Sequence, residues 1–421
     1  MRLHLTAGPS EPALLDLPWS LPLEEWPTDR LVAYPRGISR HTVRFVRNAG
    51  TVYAVKETSR RAAEREFRLL RAVGRRDIPA VEAVAVVTDR TTADGSPLDA
   101  ALVTRHLTFS LPYRALFSQM LRPERAQRFL EALAELLVRL HLAGFYWGDC
   151  SLSNTLFRRD AGALAAYLVD AETGELKGDL SPGMRENDLS IATENITGDL
   201  LDLEAAGLLD ERVDAFATAA EIERLYRDLW CELTREEVVG VNERHRIDSR
   251  VRRLNDLGYD VAELEVNTDE TGRRLIVRTE VVQPGLHSRR LHDLTGLCTQ
   301  DRQARRLMSD IRAFQAAKYP KGEAPSQIVV AHRWLVEVFV PIVESVPKHL
   351  RGKLEPAEIF HEVLEHRWYL AEDAGEPVDI EAAAADYVAG VLVHKPDEKA
   401  VLGAEVVSSE AVGVEPVLAT G

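Results

Sequence analysis

The chain has 421 residues, which is enough for two or three domains that each bury a hydrophobic core. It carries 52 Lys and Arg against 67 Asp and Glu, and the net charge of −15 disfavours a general attraction to nucleic acid or to an anionic membrane. No apolar run approaches the ~20 residues of a membrane-spanning helix. The three scattered cysteines form no disulfide framework, which is typical of a reducing compartment, so we expect a cytoplasmic protein.

The first 110 residues predict a sheet with one inserted helix. Residues 1–29 are rich in proline and are expected to be a loose leader. Alternating apolar residues predict strands in three stretches: 40–58, 80–88 and 100–107. Apolar residues at helical spacing predict a helix over 61–73. Residues 30–110 are therefore expected to form one antiparallel lobe.

The next stretch, residues 111–238, is expected to form a second and more helical lobe. Leucines at helical spacing predict a helix over 123–143, and a short hairpin is expected between Leu156 and Val169. Residues 199–235 again have a helical pattern.

A mostly helical accessory domain is expected over residues 239–395. Its predicted elements are a helix (243–257), a hairpin (262–280) and further helices (near 301–316, 325–345, 355–371 and 379–393). Residues 396–421 are acidic and lack aromatic side chains, so they predict a disordered tail.

The strongest chemical signal lies in the second lobe. Asp149 and Asn154 are on a loop after the long helix, and Asp170 follows the hairpin. Phosphoryl transfer needs a carboxylate that positions the acceptor hydroxyl, and oxygen ligands that hold Mg²⁺ on the phosphates. We therefore predict Asp149 as the catalytic base and Asn154 and Asp170 as metal ligands. The alternative is that these residues serve only turns and caps, where Asp and Asn are common.

A lysine and a glutamate upstream supply the other half of such a site. Lys56 ends a predicted strand, and Glu66 lies on the helix that follows. Such a pair holds nucleotide phosphates in kinases. The chain has few lysines, and Lys56 is the only one before Lys177, which favours a specific role. Glu64 is a rival to Glu66 for the pairing, and either could be an ordinary surface residue.

Two further positions complete the predicted nucleotide site. Gly37 lies where a loop covering the phosphates is expected, and it is equally well an ordinary turn glycine. Arg105 ends the last strand of the first lobe, where a hinge would contact adenine. The hinge would use backbone groups, so Arg105 marks the position of the hinge and not a side-chain contact.

Together these motifs resemble the protein-kinase-like fold, in the branch of the bacterial lipopolysaccharide kinases and Kdo kinases. More closely, the chain resembles actinobacterial kinase-like proteins with an appended C-terminal domain of unknown function. The resemblance covers about residues 30–235. It implies an α+β fold, in which a bilobal kinase-like domain precedes the mostly helical α/β accessory domain, with ATP and Mg²⁺ as cofactors.

The sequence departs from ordinary protein kinases at several positions. Gly148 replaces the arginine that clamps a phosphorylated activation loop, and Ser151 replaces a catalytic-loop lysine. Glu172 stands in place of the glycine of Asp-Phe-Gly and is not expected to be a third metal ligand. Arg185 and Asp188 resemble the Arg-x-x-Asp pair that supports the catalytic loop in the sugar-kinase branch.

The sequence therefore predicts an ATP- and Mg²⁺-dependent kinase that phosphorylates a hydroxyl of a non-protein acceptor, such as a sugar, a glycoconjugate or a lipid headgroup. The alternative is a nucleotide-binding pseudokinase whose C-terminal domain binds a macromolecular partner. The intact set of charged residues favours the enzyme, and the sparse glycines of the phosphate loop favour the pseudokinase.

Two patterns in the accessory domain need a separate interpretation. The stretch Arg273–His292 holds five arginines and one glutamate, and it predicts either a salt-bridge partner for the acidic remainder or a contact with an anionic partner such as nucleic acid. His361 and His366 are five residues apart and lie ~140° apart on a helix, which does not fit a zinc site.

Overall fold

The computed structural model describes residues 1–5, 12–32, 41–48, 50–113, 123–235, 237–240, 249–250, 252, 263–268, 274–280, 285–320 and 325–399. Gly37 and Arg273 lie outside these residues, as do residues 400–421 and most of the helix predicted over 243–257.

The first lobe is an antiparallel sheet with one helix packed against it. In chain order its elements are β1 (Arg2–Leu5), β2 (Leu31–Val32), β3 (Val43–Asn48), β4 (Thr51–Thr58), α1 (Arg60–Gly74), β5 (Glu82–Thr88), β6 (Arg90–Thr91), β7 (Pro97–Leu98) and β8 (Ala100–Arg105). Six of the strands form one sheet in the order β1-β5-β8-β4-β3-β2. The Ser59 side chain caps α1 by accepting from Ala62 N at 3.3 Å. The expected strands and helix are confirmed.

The expectation of a loose leader is wrong for its described part. Leu14, Trp19 and Trp26 are buried against the sheet face that also carries Tyr53 and Val55. The face of the sheet opposite to α1 would otherwise be exposed to water, and this segment covers it. Residues 2–5 also form β1, which pairs with β5, so the proline-rich composition indicated neither this strand nor the packing of the segment that follows it.

The second lobe is mainly helical. Its elements are β9 (Leu111–Pro112), α2 (Pro123–Leu142), β10 (Phe145–Tyr146), β11 (Thr155–Asp160), β12 (Ala163–Leu168), β13 (Glu175–Leu176), α3 (Pro182–Ala205) and α4 (Ala215–Thr234). The helix expected over 199–235 is two helices, and the first begins 17 residues earlier, at Pro182. Ser181 caps α3 by accepting from Met184 N, and Asp214 caps α4 by accepting from Ala217 N.

The accessory domain is mostly helical, as expected. Its elements are β14 (Glu237–Gly240), β15 (Glu263–Thr268), β16 (Arg274–Glu280), α5 (Leu286–Thr295), α6 (Asp301–Lys318), α7 (Gln327–Trp334), α8 (Val340–Ser345), α9 (Pro356–Ala374) and α10 (Ile380–Gly390). A π-helical turn over Leu335–Phe339 joins α7 to α8, where one helix was expected. Trp334, Phe339 and Phe360 pack against one another in tilted and edge-to-face contacts within its core.

The tip of the β11–β12 hairpin is held by the accessory domain. The buried Asp160 carboxylate accepts from the first turn of α6, from Arg302 N at 3.2 Å and from Gln303 N at 2.7 Å. Glu358 of α9 accepts from Ala161 N at 2.9 Å. A carboxylate at a helix N-terminus satisfies backbone N–H groups that have no partner within the helix. The two domains are therefore packed together through this hairpin.

Two arginines on the same hairpin extend this interface. Arg158 pairs with Glu355 at 2.5 Å, and Arg159 pairs with Glu398 at 2.6 Å. Glu398 is only 2% exposed, although it lies in the segment expected to be a disordered tail. Residues 396–399 are thus part of the folded accessory domain, and any disordered tail begins no earlier than residue 400.

Candidate active site

Lys56 lies at the centre of a cluster of carboxylates between the two lobes. Its Nζ donates to Glu66 Oε2 at 3.1 Å, to Asp170 Oδ2 at 2.8 Å and to Glu172 Oε2 at 2.9 Å. Strand β4 delivers Lys56, helix α1 delivers Glu66, and the segment after β12 delivers the other two. Three residues that the sequence singled out, Lys56, Glu66 and Asp170, therefore meet at one point.

The charges of this cluster do not cancel. Burial alone would lower the pKa of Lys56, but the negative charges of Glu66 and Asp170 outweigh it and hold that pKa above its usual value. Burial, together with the charge of Asp170, raises the pKa of Glu66 to about 7, against the opposing effect of Lys56. Even if Glu66 is protonated, Asp170 and Glu172 face the single charge of Lys56, and a cation would relieve this excess of negative charge.

Hydrogen bonds within the loop, and one from helix α3, fix the side chains of Asp149 and Asn154. Asn154 Nδ2 donates to Asp149 Oδ2 and to the Asp149 backbone oxygen, both at 3.0 Å. Asn195 Nδ2, from α3, donates to Asp149 Oδ1 at 3.1 Å. Ser151 Oγ accepts from Asn154 N at 3.1 Å. The Asn154 amide nitrogen is thereby used within the loop, and its Oδ1 is the atom suited to a cation.

Asp188 supports the beginning of this loop. It is fully buried, and it accepts from Trp147 N at 2.7 Å and from Gly148 N at 2.8 Å. Gly148 has φ +75°, and a Cβ there would lie 3.0 Å from the Tyr146 ring. The position that lacks the usual arginine therefore requires a glycine in this backbone conformation.

Within the part of the chain that the structure describes, Arg185 makes no contact with the backbone of that loop. Its guanidinium lies over the Trp230 ring at 4.2 Å and donates to Leu180 O at 2.7 Å. Of the Arg-x-x-Asp pair, only the aspartate contacts the catalytic loop directly.

The carboxylates grouped closely enough to hold a metal include two, Glu66 and Glu172, that were not expected as ligands. Glu66, Asp170 and Glu172 each offer a carboxylate oxygen within 4.8 Å of the others. Oxygen ligands of this kind are those that Mg²⁺ prefers, but Lys56 Nζ already contacts all three, so an ion would share these carboxylates with the lysine. Glu172 also contacts His41, at 3.1 Å. The position of Glu172, two residues after Asp170, was the signal in the sequence that could have identified it as a candidate ligand.

Of the other predicted site residues that the structure describes, Asp149 and Asn154 bond to each other on their loop, and Arg105 does not join the cluster. Arg105 donates to Glu82 Oε2 at 2.7 Å and lies over the ring of Tyr53, which belongs to the face of the sheet that the leader covers. Its side chain thus points away from Lys56, as expected of a residue that only marks the hinge. Gly37 lies outside the described residues. Glu64, the rival to Glu66, pairs instead with Arg60.

Two arginines of the basic stretch in the accessory domain, Arg289 and Arg290, make different contacts. Arg289 pairs with Asp77, three residues after the end of the first-lobe helix α1, and Arg290 donates to Gln327 of α7. Arg289 is therefore part of an interdomain clasp, and Arg290 remains within its own domain. His361 and His366 belong to no group of three metal-binding side chains among the residues that the structure describes.

The fold and this cluster define a bilobal protein-kinase-like domain, with a strand lysine paired to a helix glutamate and an aspartate after the hairpin facing both. Residues 30–195 match the model of the lipopolysaccharide kinase (Kdo/WaaP) family. Residues 228–392 match the model of a domain of unknown function, DUF4032. The expected resemblance, in both of its parts, is confirmed, and the family match supports a kinase.

Among solved structures, the chain is similar to WaaP in complex with acyl carrier protein. The two are 18% identical, the match covers 61% of this chain and 99% of that one, and the TM-score is 0.36. No curated protein sequence matches the chain. Within the described residues, no helix has the length and apolar character needed to cross a membrane.

Proposed function

We propose that the protein is an ATP- and Mg²⁺-dependent kinase that transfers the γ-phosphate to a hydroxyl of a non-protein acceptor, a sugar, a glycoconjugate or a lipid headgroup. The observation that carries this proposal is the contact of Lys56 with both Glu66 and Asp170, residues from three separate elements. Turn or capping roles would not bring a strand lysine to the aspartate that follows a hairpin 114 residues later.

Each residue has a role that its position supports. Lys56 binds the nucleotide phosphates, and Glu66 orients the lysine. Asn154 Oδ1 and Asp170 hold Mg²⁺, which when bound neutralises charge on the phosphates. Glu172 is a further candidate ligand, because it shares the cluster with Asp170.

Asp149 orients the acceptor hydroxyl and accepts its proton. Both carboxylate oxygens of Asp149 accept side-chain hydrogen bonds, so the group is held in one orientation. A fixed carboxylate holds the acceptor hydroxyl in one direction of attack on the γ-phosphorus. Positioning of this kind accounts for much of the catalysis of phosphoryl transfer.

The acceptor class follows from what the loop lacks. Ser151 occupies the place of the lysine that is usual in protein kinases, and its hydroxyl is engaged by Asn154 N. Gly148 leaves no arginine for an activation-loop phosphate. These features, together with the family match over residues 30–195, favour a non-protein acceptor over a protein.

The three cysteines are free in the structure, which supports a reducing, cytoplasmic location. The contact of Arg289 with Asp77 makes an interdomain role for that arginine a better explanation than binding of nucleic acid.

The test is transfer of radiolabelled γ-phosphate from Mg-ATP to a panel of sugars, glycolipids and lipid headgroups. Wild type should label at least one acceptor, and Asp149→Ala should reduce labelling by about 10³-fold while it still binds ATP. The pseudokinase alternative would be supported if wild type bound Mg-ATP but labelled no acceptor, and if Asp149→Ala behaved in the same way.

A further inference from the structure

Helix α3 contacts the catalytic loop at several points along one face. Asp188 holds the backbone of Trp147 and Gly148, and Asp199 accepts from Ser153 N at 3.1 Å. Asn195 lies between them on the helix. Because an α-helix turns ~100° per residue, residues 188, 195 and 199 lie within ~40° of one another around its axis.

The middle contact differs from the other two because it reaches the carboxylate itself. Asn195 Nδ2 donates to Asp149 Oδ1 at 3.1 Å and to the Cys150 backbone oxygen at 3.2 Å. The other oxygen of the carboxylate, Oδ2, accepts from Asn154. Rotation of the Asp149 carboxylate about its Cβ–Cγ bond would break both side-chain hydrogen bonds.

We infer that Asn195 is a positioning residue for phosphoryl transfer, which fixes the plane of the Asp149 carboxylate from helix α3. This inference rests on the proposed kinase activity. Ser151 cannot supply the same contact, since its hydroxyl is engaged by Asn154 N and Ser153 Oγ. An amide donor orients the carboxylate without adding a charge.

Asn195 makes no described contact with Lys56, Glu66 or Asp170, so it should matter for the transfer step and not for ATP binding. In that step, the acceptor oxygen forms a bond to the γ-phosphorus, the bond from that phosphorus to the bridging oxygen of ADP breaks, and the hydroxyl proton passes to Asp149. A misplacement of about 1 Å in such a group can cost on the order of 10²-fold in rate.

The experiment compares wild type with Asn195→Asp and Asn195→Ala, using the acceptor found in the labelling panel, or water as acceptor in an ATPase assay. Asn195→Asp preserves the shape of the side chain but removes the donor and places a second carboxylate against Asp149. We expect kcat to fall by about 10- to 100-fold in both variants, with KM and Kd for Mg-ATP unchanged within about twofold.

Asn187→Asp is the matched control. Asn187 lies on the same helix, is exposed, and donates to the Tyr146 hydroxyl instead of to the loop carboxylate. It should retain the kcat of wild type. Melting temperatures of all variants separate a positioning role from a general loss of folding.

The outcomes are distinct. If wild type turns over and Asn195→Asp retains its kcat, the positioning role is refuted while the kinase remains. If kcat, ATP affinity and melting temperature fall together, Asn195 is only structural and the inference is also refuted. If wild type itself has no turnover, the proposed function fails, and this inference fails with it.

Discussion

The Lys56 cleft and the interdomain interface both bury acidic groups, but they satisfy them differently. At the interface, each of three acids has separate partners: Glu355 pairs with Arg158, Glu398 pairs with Arg159, and Asp160, whose pKa burial raises to about 7, accepts from two backbone N–H groups of α6. In the cleft, one lysine contacts three carboxylates. Acids with separate partners suit a permanent contact, whereas carboxylates that share one lysine suit a site that takes up a cation. Substitutions at the interface should therefore reduce stability, and substitutions in the cleft should reduce binding.

The largest expected effect is that of Asp170→Asn. It removes a metal ligand and one of the three carboxylates on Lys56, so Mg-ATP binding should weaken by about two orders of magnitude or more. Unfolding should remain cooperative, with a melting temperature no lower than that of wild type. Calorimetric titration and thermal denaturation measure the two effects. Asp179→Asn, at an exposed position after β13, is the control and should bind as wild type does. Loss of cooperative folding in Asp170→Asn would show that the cleft is built for stability.

Asp160→Ala should show the opposite behaviour. It leaves two backbone N–H groups of α6 without an acceptor in a buried interface, so the free energy of unfolding should fall by about 2–3 kcal/mol. Mg-ATP affinity at a temperature where the variant is folded should stay close to that of wild type.

Denaturant titration gives the stability, and Asp214→Ala supplies the comparison. Asp214 caps α4 on the exposed surface by accepting from Ala217 N at 2.7 Å, so its loss should cost only about 1 kcal/mol. Equal losses in the two variants would mean that burial of Asp160 adds nothing to the cap.

A smaller effect is expected from the protonation of His106, which should make the stability of the fold depend on pH. Burial lowers the pKa of His106 to about 4, so between about pH 6.5 and pH 4 the unfolded chain binds a proton that the folded protein does not. Stability contributed by the neutral imidazole is therefore present above pH 6.5 and is lost as the pH falls. His106→Gln should reduce this loss by about 1–2 kcal/mol, measured by denaturant titration at several pH values. His349→Gln, at an exposed position, should follow the wild-type curve, and parallel curves for His106→Gln would contradict the expectation.

The smallest effect is expected for Arg289→Ala. Arg289 and Asp77 form an ion pair in which both side chains are about one-third or more exposed, at 34% and 42%, so its loss should cost about 0.5 kcal/mol and should disappear in 1 M salt. Arg290→Ala, whose contact lies within the accessory domain, should have no effect on docking. A loss above about 2 kcal/mol for Arg289→Ala would show that the clasp is as important as the hairpin tip.

The sequence predicted the residues of the site better than it predicted their supports. That Lys56, Glu66 and Asp170 meet could be predicted, because phosphoryl transfer restricts both residue type and spacing. The roles of Asp149 and Asn154 stay predictions. Asn195 could not be found in this way, because an asparagine two turns along a helix from Asp188 carries no signal until the helix is placed under the loop.

The same contrast holds for the fold. Helix α2 and the β11–β12 hairpin were predictable, because their apolar residues repeat at a regular period. Trp19 and Trp26 were not, since they fill a surface of the sheet that exists only after the strands pair. The start of α3 at Pro182 was missed because its first turns carry few apolar residues and include Gly183.

The β11–β12 hairpin has one end in each domain. Asn154 immediately precedes β11, Asp170 follows β12, and the tip is fixed to α6 and α9. With six residues in each strand, the hairpin spans roughly 20 Å between these ends. The hairpin therefore connects the accessory domain, which holds its tip, to the two proposed metal ligands at its other end. The kinase-like domain produced without the accessory domain would expose Arg158, Arg159 and Asp160 to water. If such a fragment bound metal weakly, the cause would be the loss of the contacts that hold the hairpin tip, and the result would not describe metal binding by the whole chain.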